Sequence, residues 1–265
     1  MLQIAKEIRK LTIECIASIG QGHIGGSFSI VDLLTVLYYK QMNIDPKNPK
    51  KEGRDRLVVS KGHSGPAIYA TLAHKGYIDK EELKTLNKFG TNLPSHCDMN
   101  KTPGVDMTTG SLGQGISCAV GMALASRLSK DNATIYCIVG DGESQEGQVW
   151  EACMYACQQK LDNFILFLDN NGMQIDDYVN NLNSLGNIEN RYESLGFHVQ
   201  SIDGHNLEQI DAAINNAKAY KGKPSVIVLN TIKGKGVSFV EGALVDSHSM
   251  PISKELLEKA LEELN

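Results

Sequence analysis

Residues 133–173 read ATIYCIVGDGESQEGQVWEACMYACQQKLDNFILFLDNNGM. The stretch opens on one apolar run, residues 133–139, and closes on another, residues 163–169. Neither alternates with polar residues, as a strand with one wet face would. Between them, residues 148–159 carry apolar side chains at helical spacing, so the whole reads strand–helix–strand. A helical crossover of this length joins parallel strands. Further strands are expected at residues 56–60, 197–202 and 225–230. Helices are expected at residues 2–19, 29–40, 65–74, 80–88, 116–129, 207–219 and 253–264. The expected fold class is α/β, a parallel sheet with helices on both faces. Ligands of such sheets bind beyond the carboxyl ends of the strands.

The chemistry is therefore sought just after Val139, Asp169, Ser60 and Asn230, and the first and second of these carry the clearest signal. The first loop is Gly140-Asp141-Gly142-Glu143, and the second is Asp169-Asn170-Asn171-Gly172-Met173. Aspartate, asparagine and carbonyl oxygens are hard ligands suited to Mg²⁺ or Ca²⁺. Gly140 and Gly142 let a diphosphate approach the backbone, with amides at the start of the next helix facing it. Asp-Gly and Asn-Gly are also plain turn formers. Their pairing at neighbouring strand ends favours a site. No phosphate-binding P-loop is present, since Gly222-Lys223 is followed by Pro224. The dinucleotide fingerprint fails because Gln145 stands where its third glycine belongs, and residues 110–115 have the wrong glycine spacing. Asp169 could imitate a ribose-binding acid, which leaves a dehydrogenase as a minor alternative.

Composition narrows the classes. The 265 residues are 42% apolar and 22% charged, which excludes wholesale disorder. A net charge of −5 and the lack of a basic run argue against nucleic acid. No window approaches the roughly 18 apolar residues of a membrane span. Lys6, Glu7, Arg9, Lys10 and Glu14 interrupt what would be a signal peptide's apolar region. Six cysteines lack Cys-x-x-Cys or zinc spacing and read as reduced, buried thiols. A cytoplasmic location is expected.

GDG, about thirty residues, then NN is the thiamine diphosphate-binding motif. Beside it stand Gly22-His23-Ile24-Gly25-Gly26, Ser60-Lys61-Gly62-His63, Thr109-Gly110-Ser111-Leu112-Gly113-Gln114-Gly115, Glu146-Gly147 and His248-Ser249-Met250-Pro251. Together they resemble transketolase in its diphosphate-binding N-terminal region, over residues 3 to 250 or so. GDG…NN marks many thiamine diphosphate enzymes, whereas GSLGQG and the spaced histidines are more specific. The resemblance implies that Asp141 and Asn171 bind Mg²⁺ or Ca²⁺ by side chain and Met173 by its carbonyl. It implies diphosphate contacts from Gly142, with Gly140 and Glu143 in the same loop. It places His63 and His248 near the diphosphate and the reacting carbon. Gly110, Ser111 and Leu112 would lie along the cofactor with Gln114 close by, and Lys233 would lie over it. His23 and His96 would point into the substrate channel. Glu146 would join a carboxylate network linking two active sites of an assembled dimer.

The histidines also make chemical sense alone. Ketol transfer deprotonates a hydroxyl beside a breaking C–C bond and reprotonates an aldehyde oxygen, and histidine suits both steps. His74, His198 and His205 are expected to be structural. The chain departs from the family at Cys97-Asp98 in place of Pro-Glu, and at Ser247 and Ser249 around His248. Both departures are expected to touch the substrate channel, leaving donor and acceptor open.

Residues 1–265 are expected to form one diphosphate-binding domain. The pyrimidine-binding and C-terminal domains of the family are expected on a second polypeptide, a C-terminal transketolase subunit, in a heterotetramer. The implied reaction moves a two-carbon ketol unit from a ketose phosphate to an aldose phosphate, in pentose phosphate-type carbohydrate metabolism. Branched or sulfonated sugars stay within this reading. The alternatives are a chain of a 1-deoxyxylulose-phosphate synthase-like enzyme and a non-catalytic binding module. The helix at 116–129 and the one around 150–155 are the expected partner surfaces.

Overall fold

The computed structural model describes residues 1–265. Its strands are β1 (Gln21–Gly22), β2 (Arg56–Val59), β3 (Ile135–Gly140), β4 (Phe164–Asn170), β5 (His198–Asp203), β6 (Ser225–Asn230) and β7 (Met250–Pro251). Its helices are α1 (Leu2–Ala17), α2 (Gly25–Phe28), α3 (Val31–Val36), α4 (Gly65–Lys75), α5 (Gln114–Ser129) and α6 (Gly147–Gln158). They continue with α7 (Val179–Leu182), α8 (Ile188–Leu195), α9 (Leu207–Ala219), α10 (Ser238–Gly242) and α11 (Lys254–Glu263). Strands β2 to β6 form one parallel sheet in the order β2-β3-β4-β6-β5.

The uninterrupted apolar runs have the physical reason expected of them. Alternate residues face opposite sides, and both sides are covered. Val59, Ile138, Phe167 and Ile227 join one core with residues of α1, α3, α4 and α9. Val58, Val139, Leu168 and Val228 join a second core with α5, α6 and α8. Fully burying one such aliphatic side chain contributes about 1.5–3 kcal/mol, so a polar residue on either face would be costly.

Three local expectations change. The helix expected at 29–40 starts earlier and breaks. It is α2 and α3, followed by a π-helical turn over Leu37–Gln41 closed by Met42 N–H to the Leu37 carbonyl, 2.8 Å. The wider turn lets consecutive tyrosines both find partners: Tyr38 packs on Tyr77, and Tyr39 meets His74. The segment expected as a helix at 80–88 is a 3₁₀ turn over Lys80–Thr85. Helix α8 lies outside the expected elements, although Asn187 caps its start and Gly196 ends it in the left-handed region.

The β1–β7 pair is antiparallel, with Gln21 opposite Pro251 and Gly22 opposite Met250. It ties the start of the chain to a segment near its end, above the carboxyl edge of the large sheet.

Candidate active site

Register places the two glycine-containing loops side by side. Gly140 pairs with Asp169 across β3 and β4, so Asp141 and Asn171 leave adjacent strand ends. Asp141 is buried. Its Oδ1 accepts from the Gly142 N–H at 2.7 Å and its Oδ2 from the Gly172 N–H at 2.5 Å, so this carboxylate binds one loop to the other. Asn171 accepts from the Met173 N–H at 3.1 Å and donates to Asp169 at 3.0 Å.

Asp169 lies beneath. It is fully buried and accepts from Lys61 at 2.5 Å, Ser29 at 2.7 Å and Thr231 at 2.5 Å. Burial alone would raise its carboxyl, but the Lys61 charge and these hydrogen bonds hold it below the ordinary range. Asp169 is thus committed to the protein, which removes the ribose-binding alternative. Lys61 also donates to the Gly26 carbonyl at 2.7 Å, so it joins β2's end to α2 and β4. Sequence reading gives Lys61 no role of its own. No local signal marks an ion pair formed across the sheet.

A cavity of about 450 Å³ opens above these groups. Of the expected residues, His63, Leu112, Gly140, Asp141, Gly142, Glu143, Glu146, Asn171, Met173, Lys233 and His248 all line it. The 173–183 segment adds Gln174, Ile175, Asp176 and Asn183, which sequence reading missed. A larger hollow, about 690 Å³, lies between residues 47–56 and 99–106 and holds none of the expected residues.

His23, His96, Gly110, Ser111 and Gln114 do not line the first cavity. Gly110 has φ +146° and lies against the His96 ring, where an added Cβ would come within 3.1 Å of Cδ2. Ser111 is exposed. Gln114 is exposed and paired with Gln148 of α6 by reciprocal bonds of 2.8 and 3.1 Å. Glu143 is buried and accepts from Ser60, from the Gly113 N–H at 2.9 Å and from the Gly140 N–H at 3.1 Å. It therefore clamps the SKGH, GSLGQG and GDG segments together. Glu146 is exposed at the start of α6.

The four histidines singled out by the sequence converge. His23 is the hub, with ring centroids 5.5 Å from His63, 5.5 Å from His96 and 5.2 Å from His248. His63 and His248 are 5.0 Å apart. Burial lowers all four below the usual imidazole value. His248 falls to about 4, from burial and then the nearby Lys233 charge. Burial thus favours the neutral imidazole, in which a ring offers one donor and one acceptor nitrogen.

The cavity fits a metal-bound diphosphate on its own terms. No three His, Cys, Asp or Glu side chains cluster as a metal site, so a cation here would rely on Asp141 with amide and carbonyl oxygens. Burial, then the Asp169 charge, raises the Asp141 carboxyl to about 7, which a cation would reverse. Lys233 is 2% exposed, and its ammonium makes one hydrogen bond, 3.2 Å to the Gln174 carbonyl. Burial and then the Lys61 charge lower it to about 8, and two of its donors are left for an anion.

The departures at residues 97–98 do not line the cavity. Cys97 is buried in the core beside Tyr69. Asp98 accepts from the Asn100 N–H at 2.9 Å and from Thr108 at 3.2 Å, closing its own turn. Ser247 is buried and bonds the Leu244 carbonyl at 2.6 Å. His74, His198 and His205 lie outside the cavity, as expected.

The sequence matches the family described as "Transketolase, thiamine diphosphate binding domain" over residues 2–264. It is 57% identical to the 6-deoxy-6-sulfo-D-fructose transketolase subunit SqwG of Clostridium sp. (strain MSTE9), over 98% of this chain and 94% of that protein. It is 37% identical to an apulose-4-phosphate transketolase subunit of Phocaeicola vulgatus, over 97% of this chain and 91% of that one. The crystal structure of transketolase from Campylobacter jejuni superposes with a TM-score of 0.92 at 37% identity, covering 99% of this chain and 42% of that chain. The chain thus spans about two-fifths of a full-length relative and nearly all of the subunit-named ones. Fold, cavity and sequence agree: the chain belongs to the transketolase family, as a subunit carrying its thiamine diphosphate-binding domain.

Proposed function

We propose that this chain is the diphosphate-binding subunit of a two-chain transketolase whose ketol donor is a sulfonated ketose. The observation that carries the catalytic reading is the convergence of His23, His63, His96 and His248 beside the Asp141–Asn171 strand ends. The donor class rests on the 57% identity to a subunit named for 6-deoxy-6-sulfo-D-fructose, compared with 37% for one named for apulose 4-phosphate.

In ketol transfer the donor's C2–C3 bond breaks and its C1–C2 unit bonds to the acceptor's aldehyde carbon. The donor C3 hydroxyl gives up a proton, and the acceptor carbonyl oxygen gains one. A six-carbon ketose sulfonated at C6 leaves a four-carbon aldose with the sulfonate at its last carbon. Thiamine diphosphate, when bound, supplies the carbanion chemistry. Asp141, Asn171 and the Met173 carbonyl hold Mg²⁺, and Gly142 and Lys233 hold the diphosphate. His23, His63, His96 and His248 move the two protons, and a neutral imidazole lets one nitrogen accept while another donates. Leu112 lies against the cofactor's body.

The resemblance places the family's residues for the far end of the sugar on the partner subunit, which would therefore read the sulfonate. That C-terminal subunit completes a cytoplasmic heterotetramer. No helix is long and apolar enough to cross a membrane. Helices α5 and α6 present the docking face, with Leu128, Met154 and Tyr155 exposed on it.

Co-expression with the neighbouring C-terminal subunit tests the reading. Thiamine diphosphate, Mg²⁺ and an aldose phosphate acceptor are supplied with each donor in turn. 6-Deoxy-6-sulfo-D-fructose should be used with a higher kcat/KM than fructose 6-phosphate or apulose 4-phosphate. Preference for a phosphorylated ketose would remove the sulfonate assignment and keep the transketolase. An Asp141→Ala variant that still bound cofactor in a Mg²⁺-dependent way would remove the metal assignment.

A further inference from the structure

Residues 232–235 carry Lys233 into the cavity, and they are held at both ends by side chains from outside it. At one end the Ile232 N–H donates to Nε2 of His205 at 2.8 Å. At the other, Nε of Arg9 donates to the Lys235 carbonyl at 2.8 Å. Both side chains meet on one carboxylate. Arg9 forks onto Asp32 with bonds of 3.1 Å to Oδ1 and 2.6 Å to Oδ2, and Nδ1 of His205 lies 2.9 Å from the same Oδ2.

The tautomer follows from the backbone. Nε2 accepts from an N–H, so it carries no proton, and the ring's hydrogen sits on Nδ1 and donates to Asp32. The side chains of Arg9 and Asp32 are 7% and 6% exposed, and that of His205 is 12% exposed. A buried ion pair contributes little net stability after its desolvation cost, but its fork geometry fixes orientation. The short segment has no slack. Lys235 N–H closes onto the Ile232 carbonyl at 3.2 Å, and Gly234 N–H donates to the Gly25 carbonyl at 3.0 Å. A Cβ on Gly236 would come within 2.9 Å of Arg9 Cδ, so the chain lies flat on the arginine.

We propose that Arg9, Asp32 and His205 are positioning residues that set the Lys233 ammonium against the cofactor's diphosphate. None of the three lines the cavity. They act through the two ends of the segment that carries Lys233, and Asp32 couples those ends. This goes beyond the structural role expected of His205 and rests on Lys233 as a diphosphate ligand.

The test is a calorimetric titration of thiamine diphosphate at fixed Mg²⁺ into the assembled two-subunit enzyme. The proteins are the wild type, His205→Ala, Lys233→Met and the double variant, with thermal melting measured alongside. His205→Ala keeps the Arg9–Asp32 pair and should weaken cofactor affinity by about tenfold, the scale seen when orienting partners around a site are lost. In the Lys233→Met background the same substitution should have no further effect. Asp32→Asn should shift affinity in the same direction, and if it fails to fold, His205→Ala carries the test. Unchanged affinity in His205→Ala, or an equal loss in both backgrounds, would overturn the positioning role and leave Lys233 as a ligand. Wild-type affinity in Lys233→Met would remove the ligand reading and the positioning role with it.

Discussion

The rings of His23 and His248 meet edge to face, with centroids 5.2 Å apart and planes at 88°. One residue follows β1 and the other precedes β7, and the pairing of those two short strands brings them together. His23 also touches His63 and His96, so a change at one ring alters the surroundings of the others.

The first prediction concerns that coupling. In the assembled enzyme, His23→Ala and His248→Ala should each lower kcat by about 10²–10⁴-fold, the range for a lost proton-transfer group. The double variant should lose less than the product of the two, because groups that act as a unit are not additive. Steady-state kinetics of the four proteins check this. Strict multiplicativity would separate their roles.

The second concerns Lys61 and Asp169. Their side chains are 2% and 0% exposed. Lys61→Met leaves a buried carboxylate without its cation and should destabilise the fold by about 3–5 kcal/mol. Adding Asp169→Asn should recover part of that loss, because the uncompensated charge is gone. Urea unfolding of both variants measures the difference.

A pH dependence follows from Asp32. Burial alone would raise its carboxyl, but hydrogen bonds from His205 and Arg9 and the Arg9 charge hold it below the ordinary value. A depressed value in the folded state means a stabilisation present above the unfolded value and lost as pH falls through the folded one. The gap in unfolding free energy between wild type and Asp32→Asn should therefore be flat above about pH 4 and shrink below it. Thermal or urea denaturation between about pH 3 and pH 7 reads this directly. A gap that widened on acidification would contradict it.

The last prediction concerns the α5–α6 face. Leu128 is 74% exposed, Met154 51% and Tyr155 47%, with Gly121 and Ala125 exposed on the same helix as Leu128. Small residues let another backbone approach, and the large ones give it apolar area to cover. Met154→Glu should reduce assembly with the C-terminal subunit while leaving the circular dichroism spectrum and melting of this chain within about 0.5 kcal/mol of wild type. Sedimentation of the co-expressed pair distinguishes assembled from dissociated protein. Unaltered assembly would place the interface elsewhere.

Most of the sheet was legible because burial on both faces writes itself as uninterrupted apolar runs at residues 56–60, 133–139, 163–169 and 225–230. The loops after β3 and β4 were legible because register in a parallel strand–helix–strand unit fixes which residues leave adjacent strand ends. The break after Leu37 was not, since nothing local forces a π turn. It depends on where Tyr77 and His74 happen to lie.

The sequence by itself therefore determined the fold class and the pairing of the two loops after β3 and β4, and its motifs carried the resemblance to the family. The first two rest on local spacing, which short-range backbone geometry converts into position, and the third on the likeness of its motifs. Tertiary structure alone decided the rest. It buried Cys97 in the core and turned Asp98 into its own loop. It placed Lys61 under Asp169, joined His23 to His248 through β1 and β7 and brought His63 and His96 against them, and bound the Lys233 segment to Arg9 and His205 through Asp32. These contacts span most of the chain, and only packing brings such residues together.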